Sequence, residues 1–159
     1  MENNNAAKIA RNLLESQKRA VLATANDDGA YASLMSYAPL DSGRQLLFAT
    51  EKNTRKYRNL QSQKRIALLI DNRSEVGDDT GDIVTVTAIG PAREAASDEN
   101  TQLHKHLLAR HPDLGDFLEK ETCTIMILEP DNYRIFGNFQ TQNELKATVS
   151  AADFPRRQT

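Results

Sequence analysis

Cysteine occurs once, at Cys123, and tryptophan not at all. A lone cysteine excludes an intramolecular disulfide and a cysteine-rich metal centre within one chain, and it fits a reducing, cytoplasmic compartment. Seven glycines and five prolines in 159 residues exclude collagen-like and low-complexity classes. Neither charge dominates: 20 Lys and Arg against 22 Asp and Glu leave a net charge of −2, so the basic footprint of a nucleic-acid-binding domain is missing. No apolar run nears the ~20 residues of a membrane helix. The opening MENNNAAKIARNLLESQKRA lacks the basic segment and continuous apolar stretch of a signal peptide. G-x-S-x-G, P-loop and G-x-G-x-x-G patterns are absent as well, which removes the usual hydrolase, NTPase and Rossmann signatures. Neither nucleic acid nor membrane is expected as a partner.

What remains has a globular balance, 39% hydrophobic and 26% charged, and a length that suits one domain over 1–159. Its core is expected over about 6–139, with a loose polar tail over 141–159. Ala6, Ile9, Ala10, Leu13 and Leu14 fall at i, i+3, i+4, i+7 and i+8, an amphipathic helix stripe. Strands are predicted over 19–25, 31–37 and 45–50. The first two are joined by Asn26-Asp27-Asp28-Gly29, whose Asp-Gly pair suits a type I′ turn, and the next two by a turn at Asp41-Ser42-Gly43. The period then changes over 53–61, a short helix capped by Asn53 or Thr54. Residues 65–71, RIALLID, predict a strand buried on both faces. An acidic loop over 72–81 holds Asp78 and Asp79 beside Asp82 without the spacing of an EF-hand. Alternation over 82–90 predicts a strand that Pro91 ends or bends. Ser97 starts a helix to about Arg110, and 113–120 adds a shorter one with Leu114, Phe117 and Leu118 packing inward. Strands over 122–128 and 133–139 flank a bend at Glu129-Pro130-Asp131-Asn132. Hairpin-linked strands with few helices predict an α+β, mostly antiparallel sheet, closed into a barrel that hides its edges.

The stretch FATEKNTRKYRNL, residues 48–60, carries the strongest chemical signal. Lys52, Arg55, Lys56 and Arg58 crowd one helix N-terminus, where the helix dipole favours anions and disfavours cations. A phosphate resolves that conflict, since free backbone N–H groups at the helix start help to hold it. Thr50 and Thr54 add hydroxyl donors. A solvated basic face explains the same four residues about equally well on spacing alone. On the second strand Ser33, Met35 and Tyr37 share one face while Leu34 and Ser36 share the other, a surface able to meet a flat heteroaromatic ring. Thr85 and Thr87 share a face of the 82–90 strand and can bond ring carbonyls or an N–H; threonine is also an ordinary strand former.

These segments resemble the pyridoxamine 5′-phosphate oxidase-related superfamily of FMN-binding split β-barrels. The family pattern runs strand, Thr, then Ser/Thr-Arg-Lys at a helix start, and Thr50, Thr54, Arg55 and Lys56 stand in those places. The stretches NLQSQKRIALLID and DIVTVTAIGPARE resemble the strands that follow. Within the superfamily the chain is most similar to the haem-utilisation-like branch, through Ala10–Leu14, the run Gly29–Ala38 and the Thr54–Leu60 segment, with Asn53 where that branch more often has His. The resemblance implies a split barrel that binds FMN. Arg55 and Lys56 would bind its phosphate, and Thr50 and Thr54 the phosphate or ribityl chain. Ser33, Leu34 and Ser36 would line the ring, and Thr85 stands where many relatives place a Gln that touches the flavin. It also implies a homodimer with the flavin at the subunit interface and a small-molecule substrate. Ala32 and Ser33 occupy the region of the Arg-x-x-x-Lys pair of pyridoxamine phosphate oxidases, and the end ADFPRRQT has no His, so pyridoxamine phosphate is not the expected substrate.

The implied activity is that of an FMN-dependent oxidoreductase, in which the flavin carries the chemistry and no side chain need act as acid or base. Two alternatives share the scaffold: a haem-binding or haem-degrading protein, and a non-catalytic flavin carrier or sensor. His104 and His106 point apart on a helix, and His104 and His111 span two turns, so no metal site is expected. Cys123 lies in an apolar strand and reads as an inert core thiol.

Overall fold

The computed structural model describes residues 2–76, 83–137 and 145–154. Helix α1 (Glu2–Ser16) leads into strands β1 (Arg19–Asn26), β2 (Gly29–Leu40) and β3 (Gln45–Glu51). Helix α2 (Arg55–Ser62), strands β4 (Arg65–Asp71) and β5 (Val84–Glu94), and helices α3 (Asn100–Arg110) and α4 (Gly115–Leu118) follow. Strands β6 (Cys123–Leu128), β7 (Asn132–Gly137) and β8 (Leu145–Ser150) complete the chain. All pairs are antiparallel. The order β4-β1-β2-β3-β6-β5 closes because β4 also pairs with β5, giving a six-stranded barrel from which β7 and β8 extend. The fold is the expected α+β, antiparallel split barrel. No helix among the described residues is long and apolar enough to cross a membrane.

Period-2 alternation sorts the strands into an inside and an outside. Leu22, Tyr37, Phe48, Leu68, Ile70, Val86, Tyr133 and Ile135 point inward and are fully buried. The apolar stripe of α1, with Ala6, Ala10, Leu13 and Leu14, joins the same core. A second cluster lies outside the barrel wall, where Leu47, Ala49, Ile125 and Ile127 of β3 and β6 meet Leu103, Leu107 and Leu118 of α3 and α4. The strands covered on both faces are therefore β3 and β6, and not β4 as the apolar run suggested. β4 alternates, with Ile66, Leu68 and Ile70 buried and Ala67 and Leu69 half-buried. A strand's run of apolar residues does not say where the helices will lie; α3 and α4 lie over β3.

Four further expectations are corrected. The β1–β2 loop is Asp27-Asp28, with Asn26 opposite Gly29. Neither Asp has positive φ while Gly29 has φ 120°, so the turn is not type I′; Asn26 Oδ1 instead accepts from the Asp28 N–H at 2.9 Å. Of the two outcomes expected at Pro91, an end or a bend, the end does not occur, since β5 runs on to Glu94. Pro91 stands where the strand changes neighbours, from β7 over Val84–Ile89 to β6 over Ala92–Glu94, so its missing N–H interrupts no ladder. Gly90 is required there, because a Cβ would collide with the Glu129 carbonyl and Pro130. Helix α3 starts after Glu99, not Ser97, and Glu99 Oε1 reaches back to the Ala96 N–H at 2.8 Å. The tail is not loose throughout: β8 pairs with β7 over six residues, and Phe154, 1% exposed, packs edge-on against Tyr133 with ring centroids 4.8 Å apart. Asp78, Asp79, Asp82, Phe139 and residues 155–159 lie outside the described residues.

Candidate functional site

The split in the barrel lies between β2 and β3. β2 pairs with β1 along Gly29–Ser36, but with β3 only from Tyr37 to Leu40. The Tyr37 N–H donates to the Lys18 carbonyl on the β1 side. Antiparallel ladders alternate, so the peptide groups of Ala32, Leu34 and Ser36 turn the other way, to an edge with no strand beside it. That edge presents N–H donors and C=O acceptors in a row.

Helix α2 packs against β1 and β3, beside the split. Thr54 is its N-cap, accepting from the Tyr57 N–H at 3.3 Å and donating to the Glu51 carbonyl at 2.7 Å. Thr50 is fully buried, with its hydroxyl 3.1 Å from that of Thr54. The two threonines thus shape the strand-to-helix connection from within. The first turn holds no acidic residue. Of its four cations, Lys52 approaches Glu94 at 3.9 Å, and Arg58 donates to the Asn53 carbonyl at 3.3 Å. Glu94 also accepts from the Tyr57 hydroxyl at 2.8 Å, which holds that phenol above its usual range. Arg55 lies over the Tyr31 ring at 4.8 Å. Among the described residues, Arg55 and Lys56 have no carboxylate partner, and their backbone N–H groups have no acceptor. Two ionic groups and two free amides at one helix start make a cradle for an anion.

Lys56 opens onto a cavity of ≈ 260 Å³ in the split, shared with Leu34, Met35, Ser36, Ala49, Leu114 and Phe117. Leu34, 61% exposed, separates it from a larger cleft of ≈ 540 Å³ on the outer face of β1, which Arg19, Val21, Leu69 and Asp71 help to line. Of the residues singled out above, the structure brings Leu34, Ser36 and Lys56 to one cavity, with Thr54 and Arg55 at its helix. Ser33 faces inward opposite Leu22, its hydroxyl buried with no partner. Thr85 is set apart, with β4 and β1 between it and β2; its cross-strand neighbour Asp71 lines the larger cleft.

Three residues that line the cavity or the larger cleft are not visible in the motifs. Arg19 is directly opposite Ser36 and shares its outward face, a register that no local pattern reveals. Leu114 and Phe117 do not simply pack inward; only Leu118 is buried, and the other two wall the cavity. Lys120 lies over the Phe117 ring at 5.5 Å and is held by Glu51 at 3.2 Å, which also accepts from the Thr122 hydroxyl. Among the described residues no acid–base pair faces the cavity. His106 Nε2 is 2.8 Å from the Pro39 carbonyl and buried His111 Nε2 is 2.6 Å from that of Tyr37. No group of three His, Cys, Asp or Glu able to hold a metal occurs among the described residues. Cys123, half-buried, is free, and its thiol is pushed up by burial and by Glu51.

The donor set fits a flat heterocycle carrying a phosphate: an edge of alternating peptide donors and acceptors for the ring, and a cation-rich helix start for the anion.

A family profile described as pyridoxamine 5′-phosphate oxidase matches residues 7–121. No curated protein matches. Among solved structures, a haem-binding protein from Mycobacterium smegmatis is similar at TM-score 0.81 and 20% identity, over 94% of this chain and 59% of that one. A FAD-binding protein from Mesorhizobium loti is similar at TM-score 0.67 and 15% identity, over 81% of this chain and 92% of that one. HutZ, described as the haem storage protein from Vibrio cholerae, is similar at TM-score 0.65 and 16% identity, over 82% and 91%.

Proposed function

The chain belongs to the pyridoxamine 5′-phosphate oxidase family, and from that premise we propose that it binds FMN in the split between β2 and β3 and uses it as an oxidoreductase on a small-molecule substrate. The observation that carries this reading is the start of α2, where, among the described residues, Arg55 and Lys56 have no carboxylate partner and their backbone N–H groups no acceptor, and Lys56 opens onto the cavity beside the unpaired edge of β2. A dianionic phosphate relieves the repulsion between these cations and the helix dipole. The peptide groups of Ala32, Leu34 and Ser36 orient the ring, and Leu114 and Phe117 exclude water from it. FMN, when bound, supplies hydride or single-electron transfer. Leu34, Val21 and Leu69 leave apolar surface on the outer face of the barrel. A second copy covering that face would form a homodimer and close the flavin at the interface. A cytoplasmic location accords with this chemistry and with the single free thiol.

The test is a spectrum and a titration. Purified protein should show flavin absorbance or acquire it with added FMN. Arg55→Glu with Lys56→Glu should weaken FMN binding by about a hundredfold or more. A colourless protein that ignores FMN would overturn the reading, as would an undiminished affinity in the doubly reversed variant. Haem binding or degradation is the second reading, favoured by the descriptions of two of the similar proteins. Two of the three histidines, His106 and His111, are engaged with backbone carbonyls, which leaves His104 as the imidazole without a partner among the described residues. Haemin should then give a Soret band that is lost in His104→Ala. A flavin carrier or sensor would bind FMN tightly and show no turnover.

A further inference from the structure

Helix α2 is joined to the rest of the protein in two places. At its start, Thr54 ties it to the end of β3. One turn on, Asn59 ties it to the tip of the β1–β2 hairpin. Asn59 is 1% exposed. Its Nδ2 donates to the Thr24 hydroxyl at 3.0 Å, and its Oδ1 accepts from Asn26 Nδ2 at 2.8 Å. Thr24 is itself buried and stands opposite Tyr31, the ring under Arg55. Asn26 Oδ1 in turn accepts from the Asp28 N–H. A buried network therefore runs from the hairpin tip to the helix that carries Arg55 and Lys56.

A leucine at position 59 would satisfy burial without needing any partner. A buried amide instead demands its hydrogen bonds, because an unsatisfied one is costly. It consequently specifies one rotation of the helix about its axis. Positions 55, 56 and 59 are related by i+4 and i+3 and so lie on adjacent parts of one face. Holding Asn59 against Thr24 and Asn26 fixes Arg55 over Tyr31 and Lys56 over the split.

We infer that Asn59, through Thr24 and Asn26, is a positioning residue for the phosphate end of the cofactor: it sets the helix rotation at which Arg55 and Lys56 converge on one anion. This rests on the FMN reading above, and extends it by assigning a role to a residue that touches no ligand. Burial alone does not require it; Leu60, adjacent on the helix and 2% exposed, supplies that.

The experiment compares FMN with riboflavin, which has the same ring and no phosphate, by fluorescence titration of the full chain. The wild type should prefer FMN. Asn59→Leu and, separately, Thr24→Val should each lower the FMN-to-riboflavin affinity ratio about tenfold while riboflavin affinity stays the same. Thr24→Ser, which keeps the hydroxyl, should keep the wild-type ratio. If Asn59→Leu does not fold, the Thr24 pair decides. Equal weakening of both ligands, or an unchanged ratio in Thr24→Val, overturns the positioning role while leaving the FMN reading intact. A wild type that binds neither ligand, or binds both equally, overturns the FMN reading itself.

Discussion

Arg110 and Arg55 are the same residue in two opposite situations. Each guanidinium lies over a tyrosine, Arg110 over Tyr37 at 5.6 Å and Arg55 over Tyr31 at 4.8 Å. Arg110 reaches from α3 to the C-terminal end of α1, where it donates to the carbonyls of Leu14, Glu15 and Gln17 at 3.1, 3.0 and 2.5 Å. That end carries the negative pole of the helix dipole, and α1 has no basic residue of its own in its last turn, so the charge is placed where it stabilises. Arg55 stands at the positive pole of α2 with no anionic partner among the described residues. The difference teaches how to tell a structural cation from a ligand-binding one. The first has its acceptors built into the fold, and the second opposes the local field and lacks them.

The comparison breaks or sharpens in three measurements, beginning with the largest effect. Arg110→Ala removes the side-chain donor of the Glu15 and Gln17 carbonyls and leaves the Leu14 carbonyl to the Tyr37 hydroxyl alone, and should cost about 2–3 kcal/mol in urea unfolding. A loss below about 0.5 kcal/mol would remove the contrast. The next effect concerns alkaline pH. Burial pushes the hydroxyls of Tyr37 and Tyr133 above the usual phenol range, with Arg110 opposing that shift at Tyr37. Both phenols stay protonated in the folded chain after the unfolded chain has begun to ionise. Stability is therefore fully present below about pH 10 and falls as pH rises beyond it, by about 1.4 kcal/mol per pH unit for each tyrosine. Tyr37→Phe removes the bond to the Leu14 carbonyl, 2.8 Å long, and should flatten that fall; the same slope in variant and wild type would break the assignment. The smallest effect is expected at Arg55→Ala, within about 0.5 kcal/mol of wild-type stability, since only an exposed stacking contact is lost. A large loss there would make Arg55 structural after all.

Much of the fold was legible because local chemistry and tertiary packing agree. The stripe of α1, the alternation of β5 and the Thr54 cap of α2 all appear where their patterns place them. Failures occurred where a decision depends on distant chain. RIALLID is more uniformly apolar than its setting requires, and whether a strand is covered on one face or two depends on α3 and α4. β8 carries few core residues beyond Val149, and its pairing with β7 supplies the order its composition does not. In the site, the cation cluster and the strand residues Leu34 and Ser36 were visible. Arg19, which lines the larger cleft, and the cavity-facing roles of Leu114 and Phe117 were not, because strand register places the first and the chain between β5 and β6 places the other two.

By itself the sequence determined the element types and the conflict at residues 52–58, because periodicity and charge at a helix start are local properties of the chain. Only the tertiary structure decided that, among the described residues, Arg55 and Lys56 find no anionic partner while Arg110 finds its carbonyls, and that the open edge of β2 lies beside the start of α2. Partnering is a matter of which segments meet in space, and residues 110 and 14 meet only once the barrel has closed.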